Sequence, residues 1–67
     1  MDKLREYIIL TLNWLWNDAD ATKICDVIYD DVKNDLDLNA DIQKKGYLGI
    51  SAVQTATKKI IRERLLA

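Results

Sequence analysis

The fold is decided at residues 21–34, which read ATKICDVIYDDVKN. Apolar side chains recur there with the spacing i, i+3, i+4, i+7 and i+11, which is the periodicity of one face of an α-helix. These side chains are Ala21, Ile24, Cys25, Ile28 and Val32, with Leu36 as a further candidate. Asp20 or Asp18 precedes the stretch as a side-chain N-cap. The pattern predicts an amphipathic helix from about Ala21 to Asn34, buried along one face.

A second helical pattern covers Asp2–Trp16, N-terminal to this stretch. Its central apolar stripe consists of Leu4, Ile8, Thr11, Leu12 and Leu15. Ile9 and Trp16 extend the stripe on one side, and Tyr7, Leu10 and Trp14 extend it on the other. A helix this apolar is central in the fold or buried in an oligomer, because exposed Trp and Ile at such density form a sticky patch. We expect self-association through this helix, with Ile9, Trp14 and Trp16 as contacts, since Trp is enriched where binding energy concentrates.

The C-terminal part contains two further helical signals. Asn39 is a good N-cap for a short helix over Ala40–Lys45, which Gly46 would end as a left-handed C-cap. Ser51 is in position to cap a final helix from Ala52 to about Leu66. Its inward side chains are predicted to be Val53, Ala56, Thr57, Ile60 and Ile61. We therefore predict an all-α fold in one domain, residues 1–67, as a small bundle of three long helices plus one short helix.

Composition narrows the classes of function. The 67 residues include no His and one Cys, which excludes an internal disulfide and a zinc site of the ordinary Cys/His type. Without His or a Gly-rich phosphate loop, we expect no catalysis, no metal and no cofactor. The apolar run Tyr7–Trp16 is about half of the ~20 residues that a membrane-spanning helix needs, so we expect no membrane partner. Because the single cysteine cannot form an internal disulfide, we expect a reducing, cytoplasmic location.

Charge is distributed unevenly along the chain. Residues 1–41 carry ten acids and four bases, whereas residues 42–67 carry six bases and one acid, although the whole chain has a net charge of only −1. We call five aspartates of the acidic half the acidic row: Asp26, Asp30, Asp31, Asp35 and Asp37. Like charges at i, i+4 destabilise a helix by about 0.2–0.5 kcal/mol per pair, so the row is mildly unfavourable for an isolated helix. Either the row is a solvated face, or it binds a basic partner or the basic tail of the same protein.

The first functional prediction follows from the acidic row. If acid and base occupy separate exterior faces, the row is open to an outside ligand, and electrostatic steering makes such compact acidic proteins fast binders. We expect a non-enzymatic protein-interaction module, acting as a regulator, adaptor or inhibitor. Its partner would be a basic protein, such as one that handles nucleic acid, and we expect the module to form homodimers.

An alternative prediction comes from the C-terminal third. GISAVQ at residues 49–54 leads into ATKKIIRERL at residues 56–65, after a short helix and a glycine turn. Over residues 39–65, this arrangement resembles the second and third helices of helix-turn-helix proteins, whose third helix enters the major groove of DNA. The resemblance implies a DNA-binding regulator. Base edges would be read by Gln54, Thr55, Lys58 and Arg62, and phosphates would be bound by Lys44, Lys45 and Lys59.

Overall fold

The computed structural model describes residues 2–14 and 16–64. Within these ranges the chain forms four α-helices and no strand, so the predicted all-α class and small helical bundle are confirmed. The helices are α1 (Lys3–Leu12), α2 (Asp18–Lys33), α3 (Leu36–Lys45) and α4 (Ile50–Arg64). They are 10, 16, 10 and 15 residues long, and these bounds do not confirm the division into three long helices and one short helix.

The ends of α1 are set by local hydrogen bonds. Asp2 caps the N-terminus, where its Oδ1 accepts a hydrogen bond of 2.9 Å from the backbone N–H of Leu4. The helix ends at Leu12, with Asn13 as C-cap, and therefore stops before the predicted end at Trp16. Leu15 of the predicted stripe lies outside the described residues, as do residues 65 and 66 at the predicted end of the last helix.

The predicted N-caps of α2 and α3 are wrong, because several good capping residues lie close together and local sequence cannot choose among them. Asn17 caps α2 in place of Asp18 or Asp20, and its Oδ1 accepts from the Asp20 N–H at 2.9 Å. Asp35 caps α3 in place of Asn39, so this helix starts four residues earlier than predicted. The Asn39 side chain instead donates to the backbone carbonyls of Lys33 and Asp35, at 3.1 and 2.8 Å.

The connection between α3 and α4 is a four-residue turn, residues 46–49. Gly46 has φ +79°, the left-handed conformation predicted for it, and its N–H bonds to the carbonyl of Ile42 at 2.7 Å. Helix α4 begins at Ile50 rather than after Ser51, so Ser51 lies inside the first turn and is not the cap. Gly49, which precedes α4, has no side chain to cap it.

Helices α2 and α4 form the centre of the bundle, because each contacts all three other helices, whereas α1 and α3 make no contact in the described part of the chain. The predicted buried faces are largely confirmed. The buried side chains of α1 are Leu4, Ile8, Thr11 and Leu12; those of α2 are Ala21, Cys25, Ile28 and Val32; those of α4 are Val53, Ala56, Thr57, Ile60 and Ile61. Helix α3 contributes only Leu38. Ile24 is half-buried, and Leu36, a candidate for the α2 face, is 84% exposed at the start of α3.

Crossing a bilayer requires more length and hydropathy than any helix within residues 2–14 and 16–64 provides.

Candidate functional site

One end of the acidic row faces α1. Asp26 accepts from the Arg5 guanidinium at 2.6 Å, and this hydrogen bond, together with the charge of the carboxylate, raises the pKa of Arg5. Beside it, the Tyr29 hydroxyl donates to the Asp2 carboxylate. That hydrogen bond raises the pKa of Tyr29 and lowers the pKa of Asp2. Two polar pairs at the surface, Arg5–Asp26 and Asp2–Tyr29, therefore connect α1 and its N-cap residue to α2.

The other members of the row face α4. Asp31 accepts from the guanidinium of Arg64 near the C-terminal end of α4. The Lys59 ammonium lies 2.5 Å from Asp35 Oδ2 and 3.3 Å from Asp37 Oδ2, so a single cation bridges two carboxylates. These contacts connect α4 to the C-terminal part of α2 and to the start of α3.

Asp35 has two roles. Its side chain is only 5% exposed, and its Oδ1 accepts the Leu38 N–H at 2.9 Å as the N-cap of α3 while its Oδ2 binds Lys59. Burial by itself raises the pKa of this carboxyl, but the hydrogen bonds from Lys59 and from the Leu38 amide outweigh burial and hold the pKa below its ordinary 3.8. The same hydrogen bond to Asp35 raises the pKa of Lys59 above 10.5. Both groups are therefore held in their charged forms.

Four of the five aspartates in the acidic row thus bind cations of the same chain. Only Asp30 has no ion pair among the described residues. The expectation that acid and base lie on separate, open faces is wrong for the other four, because each reaches across to a neighbouring helix. Two of the three cations, Lys59 and Arg64, belong to the basic half, which agrees with the open alternative that the row binds the protein's own basic tail. Binding of an external partner by this row stays a prediction.

The residues predicted for self-association are not equally accessible. Trp14 is 71% exposed, but Ile9 and Trp16 are half-buried and pack against the core. Leu10, which was not among the predicted contacts, is 50% exposed. Leu10 lies one helical turn after Tyr7 on α1, and Trp14 follows two residues after the end of α1. The spacing of these three residues in the sequence was the available signal. We call Tyr7, Leu10 and Trp14 the α1 patch. An open depression of about 390 Å³ on the outer side of α1 is lined by Lys3, Glu6, Tyr7, Ile9 and Leu10.

Some side chains of the predicted nucleic-acid surface form ion pairs or hydrogen bonds within the chain, and others do not. Lys44, Lys58 and Arg62 are exposed and make no ion pair among the described residues. Lys59 is held by α3, and Lys45 lies 3.5 Å from Asp41 on its own helix. Thr55 is exposed and donates to the backbone carbonyl of Ser51 at 3.1 Å, and Gln54 is half-buried. Three exposed cations of α3 and α4 therefore remain unpaired in the described part of the chain.

A small open cleft of about 240 Å³ lies between α3 and α4. Its apolar side is formed by Leu38, Ala52 and Ala56, and its charged rim includes Asp37, Asp41 and Lys59. The volume is below the roughly 300–1,000 Å³ of ordinary small-molecule sites. Within the ranges that the structure describes, no three acidic or Cys side chains are placed to hold a metal ion. The cleft therefore marks incomplete packing between α3 and α4.

No protein-family model, curated protein or solved structure matches this chain.

Proposed function

We propose that the protein is a non-enzymatic protein-interaction module, acting as a regulator, adaptor or inhibitor, whose main binding surface is the α1 patch. The observation that supports this proposal most strongly is the exposure of Trp14 and Leu10, at 71% and 50%. They lie within residues 7–17, which contain no charged side chain in a chain that is 31% charged. Exposed apolar side chains close together in the chain, here on α1 and just after its C-terminal end, are typical of interaction surfaces. Trp is also enriched among residues that dominate binding energy.

The chemistry of the side chains supports a non-enzymatic role. The chain has no His, and its one thiol, Cys25, is fully buried. Burial raises the pKa of Cys25, which disfavours the nucleophilic thiolate. A free thiol is the form that a reducing cytoplasm maintains, and the cytoplasm is the compartment that we propose.

A second copy of the chain is the first partner that we propose for the α1 patch. Sedimentation equilibrium tests this directly. The wild-type protein should show the mass of a dimer, and the double variant Leu10→Lys, Trp14→Lys should be a monomer because two charges would be buried at the contact. Val27→Lys is the matched control, since Val27 is an apolar residue 58% exposed on α2. A wild-type protein that stays monomeric at all concentrations would contradict self-association.

A basic protein remains the further partner that we propose, bound through the acidic row. Asp30 has no internal cation in the described part of the chain, and the side chains of Asp26 and Asp37 stay 59% and 92% exposed in spite of their pairs. Exposed ion pairs are weak, so a partner's lysine or arginine can replace the internal one. A fluorescent lysine-rich peptide should bind the wild-type protein and lose binding to Asp26→Lys, Asp30→Lys. Retained binding by that double variant would reject the acidic row as the surface.

A second candidate function is supported by the three free cations Lys44, Lys58 and Arg62 on the α3–turn–α4 unit. Contacts from three cations to phosphates predict a slope of about −2.7 for the logarithm of the DNA-binding constant against the logarithm of salt concentration. Polarisation titrations on random duplex DNA at two salt concentrations measure this slope. Lys58→Glu, Arg62→Glu should abolish binding, and Asp26→Lys, Asp30→Lys should spare it. Absence of binding by the wild-type protein at low salt would reject this function.

A further inference from the structure

Helix α3 is the least anchored element of the bundle. It buries a single apolar side chain, Leu38, at 3% exposure, and Ile42 packs only partly against the core. Leu36 at its start is 84% exposed. Helix α3 contacts α2 and α4 but not α1, whereas α1, α2 and α4 all contact one another. The three other helices therefore hold a core that is nearly complete without α3.

Charge supplies much of what holds α3 in place. Lys59 on α4 binds Asp35, the N-cap residue of α3, and also Asp37 in its first turn. We call this arrangement the Lys59 latch. The cleft of about 240 Å³ lies beside the latch, since Asp35, Asp37 and Lys59 line it together with Ala52 and Ala56 of α4. Apolar packing between α3 and α4 is therefore incomplete there. The latch therefore connects α3 to α4 at a place where the two helices are loosely packed.

We propose that α3 is a releasable strap: the Lys59 latch opens and α3 leaves α4, while α1, α2 and α4 stay folded. Segments with few buried apolar contacts open at a lower free energy than the whole protein unfolds. Release uncovers the Ala52 and Ala56 side of α4 and frees the Lys59 ammonium on the same helix as Lys58 and Arg62. A polyanion that binds free Lys59 would therefore favour the released state, because a ligand shifts a conformational equilibrium toward the state that it binds better. This switch is independent of the α1 patch and goes beyond the proposed function.

Native-state amide hydrogen exchange, followed by NMR on the full chain, tests the strap. Raising salt from about 0.05 M to about 1 M shortens the Debye length to about 3 Å, which weakens the exposed Lys59–Asp37 pair most and the buried Asp35 pair less. Amides of residues 39–45 should then exchange roughly tenfold faster, whereas amides of residues 25–32 in α2 should not change. If α3 and α2 amides exchange with the same opening free energy at both salt concentrations, α3 unfolds only with the whole protein, and the proposal is wrong.

Matched variants separate the latch from general charge effects. Lys59→Gln should increase exchange in α3 roughly tenfold at low salt, and Lys58→Gln, which removes the neighbouring unpaired charge, should have no effect there. Asp37→Asn is a milder variant, since Asp37 is 92% exposed and its loss does not endanger folding; it should give a smaller increase in α3 alone. Equal effects of Lys59→Gln and Lys58→Gln, or no effect of Asp37→Asn, would overturn the proposal.

Discussion

Helices α2 and α3 follow each other in the chain and share the acidic row, yet they are held in different ways. Helix α2 buries four apolar side chains completely, and its aspartates add ion pairs to Arg5 on one flank and Arg64 on the other. Helix α3 buries only Leu38, and Asp35 provides its N-cap and, together with Asp37, its ion pair to Lys59 of α4. Aspartate side chains therefore add ion pairs to the well-packed α2, whereas in α3 they supply much of what holds the helix in place. The two helices should respond differently to changes in packing and in charge.

The largest expected difference concerns apolar truncation. Ile28→Ala in α2 should lower the free energy of unfolding by about 2–5 kcal/mol, because Ile28 is fully buried at the centre of the bundle. Leu38→Ala in α3 should lower the free energy of unfolding by a smaller amount, because the other three helices keep their contacts when α3 detaches. Urea unfolding followed by far-UV circular dichroism measures both variants. Equal losses would contradict the distinction between a central α2 and a peripheral α3.

Asp35 gives the next largest effect. Asp35→Ala removes the N-cap and the carboxylate that binds Lys59, and the loss of an N-cap alone costs about 0.5–2 kcal/mol. Asp35→Asn keeps a capping side chain and removes only the charge, so it should be milder. Urea unfolding gives the difference between the two variants. If they are equally destabilised, the carboxylate acts through its charge alone and the cap contributes nothing.

One buried hydroxyl at the centre of the bundle, that of Thr57, destabilises the fold. Thr57 is fully buried, and its Oγ1 has no hydrogen-bond partner among the described residues. Thr57→Val should therefore stabilise the protein by about 1 kcal/mol. Thr11→Val is the matched control, because the Thr11 hydroxyl donates to the carbonyl of Tyr7 at 2.8 Å, and its loss should be destabilising. Thermal unfolding shows whether each variant is more or less stable than the wild-type protein. A lower melting temperature for Thr57→Val would contradict the prediction.

Acid should release α3 before it affects α2. The pKa of Asp35 lies below 3.8 in the folded protein, so its stabilising effect is complete above pH 3.8 and is lost as pH falls through the lower folded pKa. The pKa of Lys59 lies above 10.5, so its effect is present below pH 10.5 and is lost as pH rises through the folded pKa. The Leu38 amide chemical shift reports on α3 during an acid titration. An unchanged transition in Asp35→Asn would show that another group is responsible.

The helical periodicity of the sequence was sufficient to predict the buried face of α2, because Ala21, Cys25, Ile28 and Val32 follow one stripe without interruption. The start of α3 could not be predicted in the same way. Asp35 and Asn39 are both good N-caps, and the choice depends on the tertiary contacts of Leu38 and Lys59 rather than on local preference.

The candidate sites were less predictable than the fold. The opposite charges of the two halves of the chain indicated that acid and base could meet, but not which residues pair. Arg5 and Asp26 are 21 residues apart in the chain, and Asp31 and Arg64 are 33 apart, so each pair depends on how the helices pack. The exposure of Trp14 likewise depends on the end of α1 at Leu12. The apolar pattern continues to residue 16 and therefore gave no sign of this end.

A double-mutant cycle on Asp35 and Lys59 tests the central claim most directly, namely that the aspartates act as internal connections between helices. Urea unfolding would be measured for the wild-type protein, Asp35→Asn, Lys59→Gln and the double variant. We predict that each single variant is destabilised and that the double variant loses less than the sum of the two. The favourable coupling should shrink as salt is raised. A coupling of zero at low salt would contradict the account, because the two side chains would then contribute independently to stability.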